Sequence, residues 1–161
     1  MRSLLITHPD GLLEAIIGKC VAIIDDALIC NGSVVVKTEA MKLLQDLSII
    51  AASGYEGVFK KVVDCIVVGI LPKQEQHFFV QANSETLTQI LVLKEHAVLT
   101  LGNLIFDSQT LYTAAVSHRH VAGPGESNQI SVSKQLLDLI HFKRSQLTYA
   151  CLWTLNNLMN Y

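Results

Sequence analysis

His118 and His120 flank Arg119, and an H-x-H pair can ligate zinc when it lies on a strand with a third ligand nearby. Here the run closes an apolar helical pattern, where rings two residues apart diverge, so no metal is expected. Asp25 and Asp26 are adjacent on a helical stretch; their carboxylates point apart and cannot serve one substrate as acid and base. The segment "AGPGESN" at 122–128 is rich in glycine, but it lacks the G-x-x-x-x-G-K-[ST] of a phosphate-binding loop and follows a helical stretch. Cys20, Cys30, Cys65 and Cys151 lie far apart inside apolar patterns, which suits buried free thiols better than disulfides or a zinc site. No G-x-S-x-G and no Cys–His arrangement stands out, so neither catalysis nor a cofactor is expected. What remains is binding chemistry. Trp153, the single tryptophan, stands four residues before Asn157 in "CLWTLNNL". It offers a large rigid contact surface beside an amide that both donates and accepts hydrogen bonds.

Composition narrows the partners. The 161 residues are 50% hydrophobic and 16% charged, with a formal net charge of −2, and the mean hydropathy is +0.39. That length suits one domain, and such an apolar chain must bury much of its surface, in part against other protein. The charge offers no basic field for nucleic acid, and Lys60–Lys61 and Lys143–Arg144 are too few for a phosphate footprint. The longest uncharged apolar run, "CIVVGIL", is far short of a membrane span, and "MRSLLITHPDG" lacks the apolar stretch of a secretory signal. No membrane contact is expected, and an intracellular chain, cytoplasmic or nuclear, is.

The elements that must position Trp153 are helices. Apolar residues recur at three- and four-residue spacing, predicting helices over 10–30, 34–52, 56–71, 85–106, 108–120, 133–142 and 145–159. Turn chemistry separates them at "CNGS", "ASGY", "LPKQEQ", "ANSE" and "AGPGESN", and all three prolines fall in or before these breaks. "HFFVQ" at 77–81 has no strand partner and reads as a loop packing its aromatics on helices. The fold class is all-α.

Three of the helices share a pattern. "AMKLLQDL", "AVLTLGNL" and "CLWTLNNL" each place a small residue first, a leucine four later and another seven later: Ala40, Leu44, Leu47; Ala97, Leu101, Leu104; Cys151, Leu155, Leu158. Val36, Leu93 and Leu147 precede each set by four, and a short polar residue, Asp46, Asn103 or Asn157, follows the small residue by six. The copies are spaced by 57 and then 54 residues, as in a helical solenoid.

The final block, "LLDLIHFKRSQLTYACLWTLNNL" at 136–158, resembles the second and third helices of an armadillo repeat without a gap. The paired apolar residues Leu136, Leu137, Leu139 and Ile140, the turn "HFKR", then Leu147, Cys151, Trp153, Leu155, Asn157 and Leu158 carry the likeness. Residues 93–104 resemble the same third helix, with Leu99 at the Trp position and Asn103 retained; 34–71 fit less well, with Lys42 and Asp46 at those positions. Units longer than the family's forty or so residues imply insertions at 72–84 and around "HVAGPGESNQ" at 120–129, and the glycine expected before the last unit's second helix is missing. The resemblance implies a right-handed α-solenoid of about three irregular repeats, near 10–52, 56–106 and 108–161, excerpted from a longer repeat protein.

On an α-helix Leu155 and Leu158 fall within about 40° of Cys151, whereas Trp153 and Asn157 lie at about 200° and 240°, with Tyr149 near them. Across the copies this makes a ladder: Thr38, Lys42, Asp46; Glu95, Leu99, Asn103; Tyr149, Trp153, Asn157. In armadillo proteins such a ladder lines a concave groove that holds a peptide. The resemblance therefore implies a non-catalytic protein-interaction module, a scaffold or adaptor, binding a peptide or partner helix through these residues. The second reading is self-association, because the first and last helices are apolar around much of their circumference.

Overall fold

The computed structural model describes residues 9–25, 31–72, 84–118, 120–121 and 129–161. They form seven helices: α1 (Pro9–Asp25), α2 (Asn31–Ala51), α3 (Glu56–Asp64), α4 (Ser84–Asp107), α5 (Gln109–Ser117), α6 (Val132–Ile140) and α7 (Ser145–Met159). Among the described residues the protein is all-α apart from one short ladder, β1 (His120–Val121) antiparallel to β2 (Gln129–Ile130). "HFFVQ", "AGPGESN", Cys30 and Asp26 lie outside the described residues.

Local sequence accounts for most helix ends. Ser108 caps α5 by accepting from Leu111 N–H at 3.2 Å, and Ser131 caps α6 by accepting from Lys134 N–H at 3.3 Å. Phe59, Val62, Val63 and Ile66 follow the i, i+3, i+4, i+7 rule and are fully buried. From Cys65 to Ile70 the chain of α3 widens into a π-helix, closed by Leu71 N–H on Ile66 O at 2.9 Å.

Two boundaries differ from the sequence pattern. Asn31, Gly32 and Ser33, expected in a turn, form the first turn of α2, where backbone N–H groups need no intrahelical acceptor and short polar residues are favoured. The helix expected over 108–120 stops at Ser117; His118 is extended (φ −68, ψ 128), and His120 enters β1 instead of closing a helix.

Two layers share one core. In the first, α2 packs on α4 and α4 on α7; in the second, α1 packs on α3 and α3 on α5. α1 also packs on α2, α5 on α4, and α6 on α7. Four bonds within the first layer keep nearly one register. Ser48 pairs with Asn103, Val98 with Thr154, Gly102 with Asn157 and Phe106 with Tyr161, at separations of 55 or 56 residues. In the second layer Glu56 pairs with Ser108 and Asp64 with His118, at 52 and 54. Partners advance together along both helices of a pair, so neighbours within each layer run parallel.

α4 is the central helix. By length and composition alone it could cross a membrane, but 67% of its most apolar window is buried inside the protein. It also carries a buried lysine. Lys94 Nζ donates to Ile70 O at 2.8 Å, tying α4 to the end of the π-helix, where helix-terminal carbonyls favour a cation.

Candidate protein-interaction surface

Trp153 is placed by the glycine opposite it. A Cβ added to Gly102 would lie 2.4 Å from Trp153 Cζ3 and 2.7 Å from Thr154 Oγ1. Only glycine lets the α7 indole and threonine come this close to the α4 backbone. Beside them, Thr154 Oγ1 donates to Val98 O at 3.0 Å and Asn157 Nδ2 to Gly102 O at 3.2 Å. The α2–α4 seam is built alike. Asn103 Nδ2 donates to Ser48 Oγ at 2.9 Å, and His96 Nδ1 lies 2.8 Å from Gln45 Oε1, which can only accept. Burial lowers the His96 pKa, its largest effect, so the ring is held neutral here.

The predicted ladder therefore divides into three rows. Asp46, Asn103 and Asn157 run from exposed through half-buried to 4% exposed, and the amides of Asn103 and Asn157 bind the preceding helix. Angle alone put Asn157 on the side away from the leucines; the structure buries it because α7 has a neighbour on that flank as well. Thr38 and Glu95 are also buried. Thr38 bonds its own helix at Val34 O, Glu95 accepts from Arg144 Nε at 3.2 Å, and Tyr149 alone in that row is open. The middle row, Lys42, Leu99 and Trp153, is half-buried on all three helices.

That middle row extends into a surface. Seven residues to either side stand Val35, Val92 and Gln146, then Ile49, Phe106 and Asn160, at the i±7 spacing that keeps one helix face. None of these is closed off, and Ile49 and Phe106 are each 67% exposed. Six of the nine positions are apolar or aromatic, spread over α2, α4 and α7.

The chain matches no family model, no curated protein and no solved structure.

The remaining candidate groups make small, local sites. His118 Nε2 lies 2.5 Å from Asp64 Oδ1, joining the end of α5 to α3 beside an open groove of about 700 Å³ that Lys60, Thr113 and Ser117 also line. Among the described residues, no three His, Cys, Asp or Glu side chains gather as metal ligands would. Cys20, Cys65 and Cys151 are buried free thiols, and burial pushes Cys151 up to about 12, far from a reactive thiolate.

A second feature lies at the edges of the first layer. Tyr149, Leu152 and Met159 are 66%, 54% and 79% exposed on α7. Their counterparts are Thr38, Met41 and Ser48 on α2 and Glu95, Val98 and Ile105 on α4, all of them buried. Leu155, expected in the buried face, is only partly buried on the same flank, whereas Leu44 and Leu101 are fully buried. α2 shows the converse on its opposite flank. Val36 and Leu43 are exposed, while Leu93 and Thr100 on α4, and Leu147 and Thr154 on α7, are buried. Following the ladder's small and polar positions does not find these residues, because their exposure depends on which flank has a neighbour and helical spacing does not say.

Proposed function

We propose that this chain is a non-catalytic protein-interaction module, an armadillo-like α-solenoid of three units. Its contact surface is the outer face of α2, α4 and α7. The supporting observation is an accessible row on all three helices, apolar along α4 and at Val35 and Ile49 of α2, and centred on Trp153 on α7. Apolar patches that cross several elements of a folded domain mark binding sites. The concave groove that the armadillo resemblance implies falls on this face. Asn103 and Asn157, which that resemblance assigns to the peptide backbone, already bind neighbouring helices, so the apolar rows are the principal contacts. The ligand is an amphipathic peptide or partner helix, and Lys42 supplies the nearest cation.

Trp153 is a built-in reporter, being the only indole and lying on the face itself. Peptides selected by display for binding to the protein should change Trp153 emission. They should lose affinity at least about tenfold on Phe106→Asp or Ile49→Asp, since a desolvated charge costs more than 1.4 kcal/mol. Leu137→Asp, on exposed α6 surface, should leave binding intact. Selected peptides that bind the Phe106→Asp and Ile49→Asp proteins as well as the parent would overturn this assignment.

A further inference from the structure

The two open edges of the first layer are complementary to each other, and we propose that a second copy of this chain docks there, head to tail, with its α2 on the outer flank of α7. The argument is continuity of register. Within the chain Gln45 sits between His96 and Asn103, and one unit later Gly102 O takes the amide of Asn157. Advancing the same offset once more places Asn156 of one copy opposite Glu39 and Asp46 of the next. All three are exposed. An amide NH2 donates and a carboxylate only accepts, so Asn156 can donate to the nearer of the two acids. Glu39 Oε1 already takes Lys42 Nζ at 2.7 Å, and Oε2 can accept a second donor. The same register sets Leu152 against Leu43, and Ile50 beside Met159, four exposed apolar side chains. Interior positions equivalent to Leu152 and Met159 are closed by just such a parallel neighbour.

This junction is heterologous, because α7 offers one surface and α2 a different one, so copies add in a row. It adjoins the peptide-binding face without sharing its rows, since Asn156, Leu152, Leu43 and Asp46 lie outside them and Glu39 meets Lys42 at the boundary.

Mass in solution, measured by light scattering across protein concentration, tests it. The parent chain should grow beyond a monomer as concentration rises. Leu152→Glu and Leu43→Glu each remove one edge at an exposed position, and each variant alone should stay monomeric with unchanged helicity. Mixed in equal amounts they should form a one-to-one dimer and nothing larger, since one intact α7 edge meets one intact α2 edge. Asn156→Asp, which faces two acids with a third, should weaken association at least about tenfold, and Asn156→Lys should strengthen it. A parent chain monomeric at every concentration overturns the proposal, even if Trp153 still reports peptide binding, and assigns the edges to helices of other proteins. A Leu43→Glu variant that still dimerises overturns it too, by showing that α7 pairs with α7.

Discussion

The inner flank of α7 and its outer flank each carry a large hydrophobic side chain and an asparagine, yet one flank is closed and the other open. Against α4, the indole of Trp153, Thr154 and Asn157 meet a glycine and two backbone carbonyls at hydrogen-bond or van der Waals distance. On the other side Leu152, Asn156 and Met159 are exposed. Helical stacks bury a face only where a neighbour exists, so exposure at an edge records a missing neighbour more than a functional specialisation. The outer face of α2, α4 and α7 is different in kind. Its rows stay accessible on all three helices, including the central one, which has neighbours on both flanks.

The comparison can be broken most forcefully at Leu101 and Leu155, which occupy one position in successive units. Leu101→Ala should cost about 3–5 kcal/mol in a denaturant titration, whereas partly buried Leu155 should cost only about 1–2 kcal/mol. Equal losses would mean that the outer flank of α7 is covered. Next in size is Gly102→Ala, which forces the Trp153 ring away from α4 and should cost about 3 kcal/mol by overpacking. Combined with Trp153→Ala the penalty should shrink, and strict additivity in that double-mutant cycle would refute the contact.

The two adjacent asparagines sharpen the contrast further. Asn157→Ala abandons Gly102 O at a buried seam and should cost about 1–2 kcal/mol, while exposed Asn156→Ala should fall within about 0.5 kcal/mol of the parent, measured below the concentration of association. The smallest effect is a pH dependence at the α2–α4 seam. Burial holds the His96 pKa below its ordinary 6.5, so the unfolded chain binds the proton more readily. Stability contributed by neutral His96 is complete above 6.5 and is lost as pH falls from there through the lowered value. His96→Gln should flatten that part of the stability–pH curve, and a curve of unchanged slope would remove His96 as its source.

Much of the architecture was legible in the residues. Spacing of apolar positions located the helices, and matching Ala40, Ala97 and Cys151 picked out α2, α4 and α7, the three that pack side by side. The fate of Asn157 was not legible. A helical angle says which side chains share a face, not how many helices surround it, and α7 is buried on its α4 flank as well as along its leucines. Lys94 was equally hidden, because a charge among apolar residues gives no sign of the carbonyls at the end of a helix some twenty residues earlier. His120 was misplaced because the end of α5 at Ser117 carries no glycine or proline to mark it.

Hydroxyl-radical footprinting across protein concentration tests the central claim most directly, that the stack is closed within and open at both edges. At low concentration Tyr149, Leu152 and Met159 on α7, and Leu43 and Ile50 on α2, should be labelled strongly, while Met41, Leu101 and Ile105 stay protected. As concentration rises, the α7 and α2 edges should become protected together while Phe106 and Ile49 remain labelled. Protection of Leu152 and Met159 at the lowest concentration, or labelling of Met41 as strong as that of Met159, would contradict the arrangement.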